Sequence, residues 1–287
     1  KQFKATRDAF GEAILDLGEK NPDITIISAD LNASTRVTDF AEKFPERFIQ
    51  VGVAEQNMAS VASGLAAVGK IPFIASYAMF SPGRSWEQVR TTIAYNNQNV
   101  KIVGAHAGVS VGPDGATHQA IEDIALMRVV PNMVVLAPAD KEEAKKAVLW
   151  AASHDGPVYI RLAREATPCI TTSDTPFAVP HALELARTST NAAHIALLTT
   201  GVLAQETLQA AAALAADDYA VSVHHFPAVK PLDTETLTAL QETATLFVTV
   251  EEHQRAGGFG SAIAEHVSAS ASPRPVLRIG IHDTFGQ

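Results

Sequence analysis

Cysteine is almost missing from this chain. Cys169 is the only one in 287 residues, so no intrachain disulfide can form, and the usage suits a reducing compartment. Basic runs are missing as well, and the formal net charge is −9. A nucleic-acid partner is therefore not expected. No apolar run reaches the roughly 20 residues that would cross a bilayer, which argues against a membrane protein. The N-terminal "KQFKATRDAFGEAILDLG" reads as an amphipathic helix, not as a signal peptide. No fixed-period repeat or low-complexity segment occurs. The expectation is a soluble, cytoplasmic protein. With 47% hydrophobic and 18% charged residues it can fill one large or two medium domains. An anionic substrate would need a few local Arg or His residues to hold it against the overall field.

Strand and helix patterns alternate. Apolar runs occupy 23–30, 48–53, 71–77, 100–107, 132–139 and 157–163, and helical stretches lie between most of them. Near-continuous apolar runs suit strands buried on both faces of a parallel sheet. The alternation predicts a doubly wound α/β domain over 1–165. The Thr- and Pro-rich stretch 166–190 reads as a linker. A second α/β unit follows over 191–287: strands at 194–200, 220–226, 245–252 and 275–281, with helices at 202–216, 233–243 and 258–268.

Several segments offer chemistry. In "QVGVAEQNMASVASGLAAVG" (50–69), a short strand meets a small-residue helix, and Glu55 stands at the junction. It reads either as a helix-capping acid or as a carboxylate facing a ligand. In "GAHAGVSVGPDGATHQAIEDIA" (104–125), a strand ends at His106, a Gly-rich loop carries Asp114, and His118 is expected to begin a helix. Ligands in open α/β sheets bind at the carboxyl ends of strands, and histidines there can move protons. A polar surface turn with solvated histidines is the plainer alternative. The spacing H-x7-D-x3-H matches no established zinc signature, so no metal site is assigned.

"SYAMFSPGRSWEQVR" (76–90) puts Tyr77 and Phe80 at another strand end, where they either stack on a planar ligand or pack in the core. "IISADLNASTR" (26–36) ends a buried strand at Asp30, a candidate turn former, and continues to Ser34. Arg7 and Arg164 are surface cations or anion ligands. "EEHQRAGGFGSAIAEH" (251–266) lacks both a Walker ending and a G-x-G-x-x-G pattern, so it reads as tight strand–helix packing and not as a nucleotide loop.

Taken in order, "ATRDAFGEAI", "SADLNAST", "GVAEQNMASVASGLA", "SYAMF", "GPDGATHQAIEDIALMR", "LARE" and "EEHQRAGGFGSAIAEH" resemble the transketolase family of thiamine diphosphate enzymes. The resemblance covers the pyrimidine-binding and C-terminal domains. It implies two doubly wound α/β domains and transfer of a two-carbon ketol unit from a ketose, by default a phosphorylated one, to an aldose. A glutamate at the position of Glu55 hydrogen-bonds N1′ of the cofactor's aminopyrimidine and promotes loss of the thiazolium C2 proton. A helix N-terminus would stabilise that carboxylate by up to about 1 kcal/mol.

Asp30, Tyr77 and Phe80 match cofactor-contacting positions, Phe80 being the one that stacks on the pyrimidine. His106 and His118 match histidines near C2 and the substrate hydroxyls. Asp114 matches a reader of donor stereochemistry, and Arg7, Ser34 and Arg164 match a phosphate-binding group. The tyrosine often found three residues after the stacking Phe is replaced by Gly83. The Gly-Asp-Gly motif that binds Mg²⁺ and the diphosphate is absent from this sequence. The resemblance therefore implies a smaller subunit of a split transketolase. An N-terminal partner subunit would carry the diphosphate and Mg²⁺ site, in a dimer of heterodimers. A deoxyxylulose-phosphate synthase-like subunit, a 2-oxo acid dehydrogenase β-like subunit and a non-catalytic paralogue are the alternatives.

Overall fold

The computed structural model describes residues 3–188 and 194–286. A short strand β1 (Phe3–Ala5) leads into helix α1 (Thr6–Lys20). Then come β2 (Ile24–Ser28), α2 (Thr38–Lys43), β3 (Phe48–Gln50), α3 (Glu55–Ala67) and β4 (Ile71–Tyr77). A single turn α4 (Trp86–Gln88) runs into a π-helical stretch at Val89–Ala94. β5 (Lys101–Ala105), α5 (Asp123–Arg128), β6 (Val134–Leu136), α6 (Lys141–Ser153) and β7 (Val158–Arg161) complete the first half.

β8 (Ala166–Pro168) and β9 (Leu183–Arg187) lie between the halves. The second half holds β10 (His194–Thr199), α7 (Ala204–Ala216), β11 (Ala220–His225), β12 (Ala228–Lys230) and α8 (Thr234–Thr243). It ends with β13 (Ala244–Gln254), α9 (Phe259–Ser268) and β14 (Val276–Ile281).

The first sheet has the order β12-β6-β7-β5-β4-β2-β3 and is parallel except for β12. Every residue of β2 and β5 is buried, as expected when helices cover both faces. On one face Phe10 and Ile14 of α1 and Val148 of α6 pack with Phe73, Val103 and Ile160. On the other, Met58 and Ala62 of α3 meet Ile27, Ile74, Ile93 and Ile102. β3 lies on one side of β2 and β4 on the other, so the chain reverses its winding direction there. Such a switch point opens a crevice at the carboxyl edge. The second sheet has the order β14-β13-β10-β11-β9, again parallel except at one edge, β9.

Three expectations change. The N-terminal helix begins at Thr6, because Phe3–Ala5 pairs antiparallel with Ala166–Pro168. The stretch 166–190 is more than a linker. It supplies β8 to that pair, and β9 to the edge of the second sheet, where Leu185 and Ala186 pack on its core. The expected boundary at 190/191 lies outside the described residues. His118 does not begin a helix. Gly112 and Gly115 hold positive φ, the segment stays in turns, and α5 starts at Asp123.

The halves share one apolar core, in which Ile124 and Met127 cluster with Phe226, Phe247, Phe259 and Ile263. A buried polar knot crosses the same boundary. Asp123 accepts from the Tyr159 hydroxyl at 2.7 Å and from Arg161 Nε at 2.9 Å. Arg161 Nη2 donates to the Glu252 carbonyl at 2.8 Å. The "GGFG" turn also has an explanation. Glu251 accepts from the Phe259 and Gly260 amides at 2.6 and 2.8 Å, so a resident carboxylate fills the N-terminus of α9. A Cβ at Gly258 would lie 2.2 Å from that carboxylate. This is the tight strand–helix packing expected there.

Removing one member of a buried ion pair leaves an uncompensated charge. Asp123→Ala is expected to destabilise the chain by about 3–5 kcal/mol. Urea unfolding of the two proteins checks this, and a loss below about 1 kcal/mol would remove the pair from its structural role.

Candidate functional site

The carboxyl ends of β2, β3, β4 and β5 meet at one edge of the first sheet, where most of the candidate residues gather. Glu55 is the first residue of α3 and is only 1% exposed. Its side chain does not cap α3. Among the described residues, the one side chain hydrogen-bonded to it is Arg84, whose Nη1 lies 3.1 Å from Oε2. Sequence reading missed Arg84. The signal for it was a lone cation directly after Pro82-Gly83 at a strand end.

Arg84 is delivered by a tight turn after β4. The Phe80 amide donates to the Tyr77 carbonyl, and the Arg84 amide donates to the Phe80 carbonyl. A Cβ on Gly83 would fall 2.0 Å from the Met79 carbonyl oxygen, so no larger side chain fits that turn. A tyrosine at this position would not fit the turn as it stands.

Tyr77 and Phe80 lie nearly parallel with ring centroids 6.1 Å apart. Tyr77 stacks on His106 at 3.9 Å, and His118 stands edge-on to Phe80 at 5.3 Å. The Arg84 guanidinium sits over the Phe80 ring, 5.0 Å from its centroid. Two aromatic rings, two imidazoles and one ion pair thus form a single nest.

His106 is 1% exposed and follows β5 with φ 57°. Asp30 follows β2 with φ 64°. Left-handed backbone costs a non-glycine residue roughly 1–3 kcal/mol and concentrates at functional sites. Arg7 Nη1 lies 2.9 Å from His106 Nε2 and 3.1 Å from the Ser34 carbonyl oxygen. Arginine can only donate, so His106 Nε2 accepts, and the proton of the neutral ring sits on Nδ1. Burial, followed by the charges of Arg7, Arg164, Arg36 and His118, lowers the His106 pKa to about 3. The ring is neutral at physiological pH. Its Nδ1 and the Nε of Arg7 are buried without hydrogen-bond partners among the described residues.

His118 is half-buried, with Nδ1 2.9 Å from the Thr117 hydroxyl. Asp114 accepts from Arg164 Nη1 at 3.2 Å, and the same nitrogen donates to the Val111 carbonyl at 2.8 Å. Arg164 therefore holds the Gly-rich loop. Glu252 of the second half holds it too, accepting from the Ser110 amide at 2.6 Å. This contact was not foreseen, because Glu252 is 142 residues away in sequence.

Among the described residues, four expected ones, Asp30, Ser34, Asp114 and Arg164, make no hydrogen bond or ring contact with a member of the nest. Asp30 is exposed, and its backbone amide is bound by Gln50 Oε1 at 2.8 Å. Ser34 offers its carbonyl to Arg7. Among the described residues, no group of three or more His, Cys, Asp and Glu side chains is arranged to hold a metal ion. No helix of the described chain is long and apolar enough to cross a membrane.

The fold has known counterparts. The model of the transketolase pyrimidine-binding domain matches residues 3–169, and that of the transketolase C-terminal domain matches residues 185–287. A Methanocaldococcus jannaschii protein named "Putative transketolase C-terminal section" is 39% identical over 285 residues, 99% of this chain and 89% of that one. A 6-deoxy-6-sulfo-D-fructose transketolase subunit from a Clostridium species is 37% identical, covering 98% of this chain and 86% of that one. Among solved structures, a split-gene transketolase described as an inactive β4 tetramer superposes with a TM-score of 0.88 at 43% identity. The match covers 97% of this chain and 90% of that one. By its two domains and by relatives matched over nearly their whole length, this chain belongs to the transketolase family.

Proposed function

We propose that this chain is the cofactor-activating subunit of a two-chain transketolase, moving a two-carbon ketol unit from a ketose to an aldose. The burial of Glu55 carries the reading. A carboxylate that is 1% exposed at the switch point of a doubly wound sheet is costly to keep unless a cation or donor meets it. The aminopyrimidine of thiamine diphosphate is planar, and its ring nitrogen can meet an acid. The residues present fit it: Glu55 for the nitrogen, with Phe80 and Tyr77 for the ring faces. When bound, the cofactor supplies an electron sink for cleaving a carbon–carbon bond beside a carbonyl. Asp30 stands beside the same crevice. The diphosphate and Mg²⁺ are assigned to a partner subunit in a dimer of heterodimers.

The remaining side chains divide the work. His106 is a poor base, because Arg7 occupies its Nε2, and burial with the Arg7 charge disfavours the protonated ring. It orients instead, donating from Nδ1 to a substrate oxygen. Arg7 Nε is a second buried donor awaiting an acceptor. His118 is the proton carrier, since its Nε2 makes no hydrogen bond to a described residue while Thr117 fixes the ring. Arg7, Ser34 and Arg164 form a cationic mouth suited to a phosphate or sulfonate tail. Asp114, tethered by Arg164, reads sugar hydroxyls from the loop.

Three outcomes follow. The purified chain alone is expected to bind thiamine diphosphate weakly and to transfer no ketol unit until an N-terminal partner and Mg²⁺ are added. Full activity of the single chain would overturn the two-chain reading. Glu55→Gln in the complex is expected to slow exchange of the cofactor C2 proton by at least about 100-fold with assembly intact, on the scale typical of general acid–base catalysis. Deuterium exchange followed by proton NMR decides this, and a rate near wild type would remove Glu55 from its role. Finally, His106→Asn is expected to lower kcat/KM while leaving the pH profile in place. His118→Asn is expected to lower kcat itself by about 100-fold or more, on the scale of a lost proton carrier. The reverse pattern would exchange the two assignments.

A further inference from the structure

We propose that Arg84 is an internal ligand of the pyrimidine slot, which the cofactor displaces before Glu55 can serve it. The inference rests on the reading of Glu55 and Phe80 as the residues that face the aminopyrimidine.

Arg84 already makes both contacts which that reading gives to the ring. Its Nη1 lies 3.1 Å from Glu55 Oε2, and its guanidinium centre lies 5.0 Å over Phe80. A guanidinium is planar and cationic and carries N–H donors at its edge. It can satisfy a carboxylate and cover an aromatic face at once. Phe80 offers little other room: Tyr77 lies nearly parallel at 6.1 Å, and His118 stands edge-on at 5.3 Å. A bound ring on the Phe80 face and the Arg84 guanidinium on it are mutually exclusive.

The two members of the pair differ sharply in exposure. The Arg84 side chain is 49% exposed, while that of Glu55 is 1% exposed. Releasing Arg84 returns a long cation to water at small cost, because half-exposed ion pairs are weak. Leaving Glu55 without any partner is the costly alternative. The pair therefore acts as a place-holder. In the free chain Arg84 keeps the buried carboxylate satisfied, and on binding the pyrimidine takes over. Occupancy of the slot by Arg84 lowers the apparent affinity for the ring by the fraction of time the slot is open.

The test titrates the full-length chain by calorimetry with 4-amino-5-hydroxymethyl-2-methylpyrimidine, the ring half of the cofactor. It then titrates the complex with thiamine diphosphate and Mg²⁺. Arg84→Met keeps the apolar stem and removes the cation, and Arg84→Gln is the second variant should Arg84→Met fail to fold. The expected result is about tenfold tighter binding of the pyrimidine by the variant. The ligand-free variant should also melt at a lower temperature than wild type, with the deficit erased at saturating pyrimidine. Binding that is unchanged or weaker in the variant, while Glu55→Gln still weakens it, would overturn the role of Arg84 and leave the cofactor reading standing. If Glu55→Gln changes binding in neither background, the assignment of Glu55 itself fails, and this inference falls with it.

Discussion

The arrangement of this chain depends on a buried charge that two halves of the molecule have to share. Arg161 ends β7 of the first sheet and finds its carboxylate on α5 and a carbonyl acceptor on β13 of the second. Burial alone would weaken its hold on a proton. The charge of Asp123, with Glu252 and Tyr159, more than offsets that and raises the Arg161 pKa. The same burial, and the negative charge of Asp123, push the Tyr159 hydroxyl well above its ordinary range, so it stays a donor. A cation in this setting is satisfied only if both halves are in register. The polar knot therefore fixes their mutual position more tightly than apolar contact alone, which tolerates sliding.

That register reaches the site through one adjacent residue. Glu252 gives its carbonyl to Arg161 and its carboxylate to the Ser110 amide. A Cβ at Gly108 would lie 2.3 Å from the Glu252 carboxyl carbon, so the loop passes it at the closest approach a backbone allows. The loop then carries His118 to the nest and Asp114 to Arg164. The second half contributes none of the aromatic or imidazole groups of the nest. It nevertheless sets where the loop that bears two of the site residues begins.

Much of this was legible in sequence, for identifiable reasons. Strands such as β2, β5 and β11 announced themselves as apolar runs because both of their faces are buried. Glu55 stood out because an acid at the start of a small-residue helix is a local pattern. What escaped had no local pattern. β9 and β12 are edge strands whose partners lie far along the chain, and β12 joins the sheet of the other half. His118 follows a Gly-rich stretch that looks like a helix approach, but positive φ at Gly112 and Gly115 keeps it in turns. Arg84 was hidden because its meaning comes from Glu55, 29 residues earlier. Asp30 was conspicuous in sequence as the end of a buried strand, and its side chain is exposed at the carboxyl end of β2.

The electrostatics of the site explain how an acidic protein can present itself to an anion. With a net charge of −9 the distant field repels such a ligand. Arg7, Arg36 and Arg164 come from three separate segments, and the charge of each helps to lower the His106 pKa. Arg36 is partly neutralised by Asp8 at 2.7 Å, and Arg164 by Asp114 at 3.2 Å. Arg7 has no carboxylate partner among the described residues; it spends its donors on an imidazole nitrogen and a carbonyl. It is therefore the cation with the most to gain from an incoming oxyanion. Because Arg7 also fixes the tautomer of His106, an anion drawn to it would arrive beside a donor already aimed and already neutral. Under the proposed function, attraction at the mouth and orientation at the reacting end would be joined through a single guanidinium.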